Sequence, residues 1–526
     1  MCAAICRRRS GRRPRQRGHI GKPHGVLSPR VQAVGPEHFG IVAVDCAKAR
    51  SKWMLTDFYG RVLCPPAVVE HHRPALNEAL VSLRQAVAAH KLRDVVVAVE
   101  RTGRYHVPVL RAFAAAGYDT RTVHPSVSCY FREAATYDNK TDDTDLEGIY
   151  RAAVNGFGLQ EQPWDAVYSA LQFWSRYRRD LVTKTTLLRC QILEFLESSL
   201  PGYSRCFDDA FISRIALLVP RRFATPQAIA EAGLAGLAQL ARQGHVQVKR
   251  ATLVRILGWA QNAPVPDGNA PLYQQMVCAL NDDRLAKEKQ IESIERELVT
   301  HLVQTPYVRL LALPGINVVL ASELAGEAGP IVHYATARVL TGRAGLYPRR
   351  YQSDEVDLAS GTLARRGNRR LRSVLLMAAD TLVRCNDHFG VLAARWADQG
   401  KDPRDIHVRV AGRYTRMAFH MVGGKEPFHH PACPDPPAVL SKLIEFHNVH
   451  DIDPDITRTN LQRATAQLPR AEQAREKAGL HAQLEAARTG QGRGAKLLRV
   501  ILPAVLDQLG GATAKLIQSI TSGETP

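Results

Sequence analysis

Four acidic side chains in the first third of the chain have the spacing expected of a metal site. Asp45 and Glu100 each directly follow an apolar run typical of a buried strand. Asp142 and Asp145 are three residues apart, so at the start of a helix both would project from one face. Ligands of open α/β sheets bind at the carboxyl ends of the strands. Carboxylates that meet there repel one another unless a cation neutralises them, and oxygen ligands favour Mg²⁺ or Mn²⁺.

Such a site would suit the chemistry of phosphodiesters. Two cations about 4 Å apart can hold the attacking and the leaving oxygen of a phosphodiester. Each acid taken singly also has an ordinary interpretation, because strand ends often carry turn or cap residues and Asp142 would suit the N-terminus of any helix. The order of the four acids within one pattern of strands and helices favours the metal-dependent interpretation.

The elements around these acids predict an α/β domain. Three strands in succession form a meander, and a helix, a valine-rich strand, a second helix and a last strand follow. This order is typical of an RNase H-like domain, which we predict over residues 38–160. The predicted strands are residues 41–44, 53–57, 62–69, 95–99 and 120–123, and the predicted helices are residues 74–90 and 107–116.

The composition indicates a nucleic-acid partner. Among 526 residues, 70 lysines and arginines against 50 aspartates and glutamates give a formal net charge of +20. An excess of this kind points to a polyanion, with nucleic acid first and an anionic membrane second. A membrane span is not expected, because Pro314, Gly315 and Asn317 interrupt the most apolar stretch. Ten cysteines without a C-x-x-C pair indicate a reducing compartment, so we expect a cytoplasmic, nucleoid-associated protein.

The rest of the chain divides by composition. Residues 1–35 contain nine lysines and arginines and no acid, which predicts a disordered basic arm that either attracts nucleic acid or is a solvated tail. Residues 161–304 read as a helical or coiled-coil region, residues 305–427 as a compact mostly α-helical domain, and residues 428–526 as a helical tail. A short apolar stripe in the second region suits either a two-stranded coiled coil or a helix packed inside its own domain, and its members are Ile291, Ile294, Leu298 and Leu302.

Two features of residues 305–427 suit contact with DNA. The turn at Pro314 and Gly315 resembles a helix-hairpin-helix turn, whose backbone N–H groups can hold a phosphate, although an ordinary helix-terminating Pro-Gly is equally compatible. Further on, five arginines fall within eight positions without an acid among them. Such a cluster suits backbone phosphates, and it comprises Arg365, Arg366, Arg369, Arg370 and Arg372.

These residues together resemble a known family, the DEDD transposases of insertion-sequence family 110. The first block of agreement is G-I-V-A-V-D-C-A-K at residues 40–48, E-R-T-G-R-Y at residues 100–105, and K-T-D at residues 140–142 followed by Asp145. The second block is L-P-G-I at residues 313–316, A-G-L-Y-P at residues 344–348, Q-S at residues 352–353 and R-G-N-R-R-L-R at residues 366–372. Both blocks stand in the family's order and span about residues 40–425.

The resemblance implies a DNA transposase or recombinase. It implies a RuvC-like domain that binds Mg²⁺ through Asp45, Glu100, Asp142 and Asp145, a helical region for assembly, and a C-terminal transposase domain. By motif position Ser353 would be the nucleophile that forms a covalent phosphoserine with DNA, and Lys48 would contact nucleic acid. The expected partners are the element ends or junction and target DNA, a structured noncoding guide (bridge) RNA, and further copies of the chain in a dimer or tetramer.

One departure from the family pattern leaves alternatives open. Asp354 follows Ser353 where the family usually has glycine, while Ser360 precedes Gly361 and is the second candidate nucleophile. A RuvC-like junction nuclease that uses metal-activated water would need no serine. A catalytically degenerate protein that only binds DNA or RNA would need neither the serine nor the carboxylates.

Overall fold

The computed structural model describes residues 27–135, 139–160, 164–348, 351–353, 356–358, 362–364, 367–433, 438–476 and 478–479. The chain divides into two compact units, Met1–Pro163 and Trp164–Pro526. None of the helices within those ranges is both long enough and apolar enough to cross a membrane.

The first unit is built around a five-stranded mixed sheet. Its order is β3-β2-β1-β4-β5, in which the first three strands form an antiparallel meander and β4 and β5 run parallel to β1. The central strands are apolar along their length because helices cover both faces, so the predicted α/β sheet is confirmed. The strands are β1 Phe39–Cys46, β2 Arg50–Asp57, β3 Val62–Glu70, β4 Asp94–Glu100 and β5 Asp119–Val123.

Alternate residues of β1 enter two different cores. Val42 and Val44 pack with helices α2 and α3, whereas Ile41 and Ala43 pack with α1 and α5 on the other face. A strand buried on both sides in this way has a fixed register, which in turn fixes the direction of the residues at its end. The helices of this unit are α1 Ser28–Val34, α2 Arg73–Ala89, α3 His106–Ala115, α4 Pro125–Ala135 and α5 Asp142–Val154.

The folded part begins earlier than the composition predicts. Residues 27–35, which we assigned to the basic arm, contain α1, with Leu27 and Val31 buried against the sheet. Arg30 donates to Asp94 at 2.7 Å and also pairs with Asp119. One arginine with two acidic partners thus belongs to the folded unit, although it looked like part of the cationic arm. Residues 1–26 of that arm lie outside the described residues.

The second unit is almost entirely helical. Its two longest helices, α6 and α10, pack along each other, and Ile294, Leu298 and Leu302 are buried in the core that they share with α11. The apolar stripe therefore packs inside its own chain. Two short strands, β6 Tyr351–Ser353 and β7 Val356–Leu358, pair antiparallel between α12 and α13. The helices are α6 Ala166–Ser199, α7 Arg214–Arg222, α8 Pro226–Gln243, α9 Arg250–Asn262, α10 Ala270–Leu302, α11 Val318–Ala328, α12 Ala337–Ala344, α13 Arg369–Cys385, α14 Asp387–Asp398, α15 Pro403–Gly423, α16 Val439–Val449 and α17 Pro454–Gln467.

Two cores hold this unit together. One lies among α6–α10 and contains Ile192, Tyr203 and Ile256. The other lies among α11, α13 and α15, and the tail helices α16 and α17 add Leu443 and Leu461 to it. The tail expected as a separate stretch from residue 428 is therefore, over residues 439–468, part of the same core as residues 305–427.

Two buried acids connect α6 to α11 in the second core. Glu327 is 2% exposed and receives Arg176 Nε at 2.7 Å and Asn368 Nδ2 at 3.0 Å, and Glu323 pairs with Arg179 one helical turn away. Burial alone would raise the pKa of Glu327, yet the hydrogen bonds from Arg176 and Asn368 hold that pKa below its usual value. A charge buried in this way stabilises the fold only while its partners are present.

Replacing Arg176 by methionine should lower the midpoint of guanidinium chloride unfolding at pH 7, by an amount equivalent to about 3 kcal/mol, because Glu327 stays buried without its ion-pair partner. Because the folded-state pKa of Glu327 is lowered, the stabilisation by the pair is fully present above the unfolded-state pKa of about 4.3, and the deficit should shrink as the pH falls below that value through the folded-state pKa. Lys184→Met is the control, since Lys184 pairs with Asp180 at 2.9 Å on the exposed surface of α6 and its loss should leave the unfolding midpoint nearly unchanged. Equal losses in the two variants would contradict this role of Glu327.

Candidate functional site

The sheet places Asp45 and Glu100 side by side. Strands β1 and β4 are parallel neighbours, and their register pairs Val44 with Val99. Asp45 and Glu100 are the next residue of each strand, so both stand at the carboxyl edge of the sheet. Both residues are partly exposed there, at the ends of otherwise buried strands. This is the arrangement that the two apolar runs predict.

Helix α5 brings two more acids to the same unit. Thr141 begins the helix with a capping box, in which its hydroxyl accepts from the Thr144 N–H at 3.2 Å and Thr144 Oγ1 accepts from the Thr141 N–H at 2.8 Å. The apolar face of α5, which includes Leu146, is buried against β1. Asp142 and Asp145 consequently lie in the first turn, where the helix dipole favours negative charge.

The charges of the other three acids act on Asp45. Burial, together with repulsion from Glu100, Asp145 and Asp142 and against the opposing effect of Lys140, raises the pKa of the Asp45 carboxyl to about 6. The structure thus brings together the four carboxylates that we selected from the sequence.

The neighbouring Asp143 is turned away from this group. Its carboxylate binds Lys52 Nζ of β2 at 2.8 Å, and its side chain is 63% exposed. Asp142 and Asp145, which flank it, both repel the carboxylate of Asp45. Asp142 and Asp145 therefore differ from Asp143 in their position on the helix, and not in residue type.

Helix α4 contacts two of the four carboxylates, which the sequence does not indicate. Ser128 is buried and its Oγ donates to Glu100 Oε2 at 2.5 Å. Arg132, one helical turn later, forms an ion pair with Asp145. Serine and arginine at a spacing of four occur on many helices, so only the packing of α4 identifies these two as site residues.

The donors at this edge suit a hard divalent cation. Four carboxylates with mutual repulsion match the ligands that Mg²⁺ and Mn²⁺ prefer. Within the described ranges, however, no three aspartate, glutamate, histidine or cysteine side chains already form a metal-binding group. Hydrogen bonds from α4 occupy Glu100 and Asp145 instead. The ligand types at the site therefore fit the cation, but the side chains do not form a preorganised coordination site.

The turn at Pro314 and Gly315 lies in the second unit between α13 and α16. Gly315 has a φ of +89°, and a Cβ there would lie 2.8 Å from the Thr381 carbonyl oxygen. The residues before the turn form a 3₁₀ helix, Pro306–Ala312, where a helix-hairpin-helix would have an α-helix. The N-terminus of α11 follows directly, capped by Asn317, whose Oδ1 accepts from the Leu320 N–H at 2.9 Å.

A lysine from the tail holds this turn, and the sequence did not identify it. Lys442 of α16 donates to the carbonyl oxygens of Leu313 at 2.7 Å and Ile316 at 3.1 Å. Burial lowers the pKa of Lys442 to about 8, against the opposing effects of Glu445, Glu476 and Cys385. The carbonyl groups of the turn thus have a fixed partner on the side of α16.

The arginine cluster divides into exposed and structural members. Arg369 and Arg370 are exposed in the first turn of α13, which Asn368 caps by accepting from the N–H groups of Arg370 and Leu371, both at 3.0 Å. Arg372 instead donates to two backbone carbonyl oxygens, those of Ala344 at 2.8 Å and Ala364 at 2.7 Å. Lys48 is exposed in the turn after β1, and Arg365 and Arg366 lie outside the described residues.

The serine candidates fall in the least described part of the second unit. Ser353 ends β6, where its backbone pairs with Val356 of β7. Its side chain, like the whole of Asp354 and Ser360, lies outside the described residues. The choice between Ser353 and Ser360 therefore stays a prediction.

Comparison with known proteins gives a consistent result along the chain. A family model for DEDD transposases of IS110, described as a transposase, matches residues 42–201, and a model described as the transposase IS116/IS110/IS902 family matches residues 307–392. The first match contains all four carboxylates, and the second contains the turn, Ser353 and the arginine cluster.

Two relatives agree with the family models. The chain is 27% identical over 164 residues to a probable family 20 transposase of Pseudomonas aeruginosa, which is 30% of this chain and 47% of the relative. It is 33% identical over 111 residues to the transposase for insertion sequence element IS1328 of Yersinia enterocolitica, which is 21% of this chain and 33% of the relative. The chain thus spans about half of one relative and a third of the other. The order of the two matched segments and the agreement of both relatives support an IS110-family transposase.

Proposed function

We propose that this protein is a DNA transposase that cuts and rejoins DNA through a metal-assisted serine nucleophile. The observation on which the proposal depends is the convergence of Asp45, Glu100, Asp142 and Asp145 at one edge of the sheet in the first unit. A structure that only bound nucleic acid would gain nothing from four mutually repelling carboxylates at a surface that attracts a polyanion. Their placement favours catalysis.

We further infer that the first unit is an RNase H-like (RuvC-like) domain. The support is its strand order, β3-β2-β1-β4-β5, with an antiparallel meander followed by two strands parallel to β1. Asp45 and Glu100 stand at the carboxyl ends of β1 and β4, where open α/β sheets bind their ligands. Residues 38–160 are then the catalytic domain.

The four carboxylates would hold Mg²⁺ or Mn²⁺. Bound there, the cation would lower the pKa of the attacking hydroxyl and neutralise the negative charge that develops on the phosphate. The side chains of this unit have their own tasks: Ser128 orients Glu100, the capping box of Thr141 fixes the first turn of α5, and Lys48 contacts the DNA backbone beside β1.

Ser353 is the proposed nucleophile. Its Oγ would form a bond to phosphorus as the bond from phosphorus to the departing sugar oxygen breaks, and the strand would be kept as a phosphoserine ester until it is rejoined. The support is its position within the second matched segment, residues 307–392. Ser360 is the second candidate.

Contact with DNA in the second unit would involve a groove between α11 and α13. Arg178, Arg369 and Arg384 line it together with Asn317. The exposed arginines at the start of α13 suit backbone phosphates, and the neighbouring N-terminus of α11 adds a partial positive charge. The buried pair of Glu327 and Asn368 would hold that end of α13 in place.

The partners follow from the family and the charge. A net charge of +20 suits DNA together with a structured guide (bridge) RNA encoded by the element. Joining two duplexes requires more than one active site, so we propose a dimer or tetramer as the active form. A junction nuclease that uses metal-activated water is the second candidate function, because all four carboxylates belong to one unit and could act without the serine.

A single assay distinguishes these functions. The full chain, its flanking RNA, a circular-junction DNA and Mg²⁺ should give a protein–DNA adduct that survives denaturation. We expect Asp45→Asn, Asp142→Asn and Ser353→Ala to reduce the adduct on the order of 100-fold or more, since each removes a group that acts in the transition state. Asp143→Asn is the matched control, because Asp143 binds Lys52 and should leave the adduct unchanged.

Other outcomes would overturn specific parts of the proposal. An adduct lost with Ser360→Ala but kept with Ser353→Ala would move the nucleophile to Ser360. Cleavage without an adduct in any lane would identify the hydrolytic nuclease. Binding of DNA or RNA that Asp45→Asn leaves unchanged, with neither adduct nor cleavage in the presence of the guide RNA, would identify a binding protein without catalytic function.

The arginines of α13 provide a separate test. Arg369→Ala and Arg370→Ala should each weaken binding to duplex DNA and reduce the slope of log affinity against log salt by about 1, because each would lose one phosphate contact. Arg372→Ala should instead lower the unfolding midpoint, because the carbonyl groups of Ala344 and Ala364 lose their donor. Unchanged salt slopes in both exposed variants would exclude this surface as the site of DNA contact.

A further inference from the structure

Helices α4 and α5 approach each other unusually closely beside the carboxylates. Gly148 of α5 is buried, and a Cβ at that position would lie 2.6 Å from the Ser128 carbonyl oxygen and 3.1 Å from Arg132 Cβ. A larger residue at 148 would push α4 away from the first turn of α5. The close approach sets Arg132 against the carboxylate of Asp145.

Arg132 is held in place from two directions. Its Nη1 pairs with Asp145 Oδ1, and its Nη2 lies 3.3 Å from Cys129 Sγ on its own helix. The side chains of Arg132 and Asp145 are 15% and 14% exposed, so the pair is largely shielded from water. An ion pair in that position is screened less than a surface pair and has a stronger effect on any third charge nearby.

A divalent cation that used Asp145 as a ligand would meet the guanidinium at the same oxygen. The two positive groups repel each other, and Asp145 Oδ1 cannot keep its full interaction with both. Binding of the cation and pairing with Arg132 are therefore linked, and each must weaken the other by the same factor.

We propose that Arg132 is a built-in counter-ion of the carboxylate site, which holds Asp145 in the metal-free protein and releases it when a divalent cation binds. Arg132 would then set the metal affinity of the site. This explains why the carboxylates converge without forming a finished metal-binding group among the described residues. The inference rests on the proposed function, in that it requires the four carboxylates to bind metal.

Metal binding to the full chain, without nucleic acid, tests the proposal. Binding of Mn²⁺ measured by calorimetry at fixed pH should be 5- to 100-fold tighter in Arg132→Met, which keeps the apolar stem but removes the charge. Arg132→Lys should bind close to the parent protein, because it keeps a positive charge near Asp145. Arg151→Met should also match the parent, since Arg151 pairs with Glu147 on the exposed face of α5 and controls for the change in net charge.

Thermal unfolding with and without Mn²⁺ supplies a second readout. A purely structural role of Arg132 would leave the effect of the variant on Tm independent of the metal. Arg132→Met should lower the Tm of the metal-free protein, and this difference should narrow in saturating Mn²⁺, because the cation then takes over the neutralisation of Asp145. A residue that only joins α4 to α5 would cause the same loss with and without metal. Arg132→Gln, which keeps a hydrogen-bond donor, gives the same comparison if the methionine variant does not fold.

The failure of this inference is distinguishable from failure of the proposed function. Asp45→Asn should abolish Mn²⁺ binding in every background. If binding depends on Asp45 but is equal or weaker in Arg132→Met, Arg132 is a structural residue and the metal site stands without it. If no binding depends on Asp45, the metal site itself is wrong, and the role of Arg132 is wrong with it.

Discussion

The mutual repulsion of four carboxylates is the constraint on which the architecture of the first unit depends. The parallel register of β1 and β4 sets Asp45 beside Glu100, and the capped start of α5 adds Asp142 and Asp145. Burial and this repulsion together raise the pKa of Asp45 to about 6. Buried charge that costs free energy is typical of sites retained for chemistry, because the same core could be built with fewer acids.

The second unit shows the opposite use of buried charge. Glu327 and Glu323 are isolated acids in an apolar core, and each has its own arginine from α6. Glu327 also accepts a hydrogen bond from Asn368, the residue that caps α13. An interaction inside the core therefore fixes the position of the first turn of α13, which carries the exposed arginines. In this unit each buried acid has an arginine partner that fixes a helix, whereas in the first unit Asp45 lies among three other carboxylates that repel it.

The sheet and the carboxylates could be predicted because their signals are local. A valine-rich run such as that of β4 has few alternatives to a buried strand, and an acid at its end is then at the edge of the sheet. Helix α4 was not among the predicted helices, and its contact with the carboxylates comes from Ser128, the buried residue in Pro125–Ala135, whose residue type does not indicate a site. The contacts of Ser128 with Glu100 and of Lys442 with Leu313 join residues 28 and 129 positions apart, and they depend on tertiary packing that local patterns do not encode.

The difference between local patterns and tertiary packing also explains why two domain boundaries differ from the prediction. Arginine-rich composition predicts disorder, but Arg30 meets two acids from the sheet and α1 is folded with them. Composition predicts a separate helical tail from residue 428, yet the apolar residues of α16 and α17 complete the core of α11, α13 and α15. The composition of a segment does not show whether another part of the chain provides a surface on which that segment packs.

The closure of the second core by α16 and α17 has a consequence for synthesis on the ribosome. The cores of the first unit use residues up to 154, whereas the second unit needs residues up to Leu468, some 300 positions later. At about 5 to 20 residues per second, the ribosome takes roughly 15 to 60 s to cross that distance. During this interval the nascent chain already contains every residue of the sheet and its carboxylates, while the helices that would meet DNA still lack their last two partners. The order of synthesis therefore makes the residues of the first core available well before those that complete the core of the second unit.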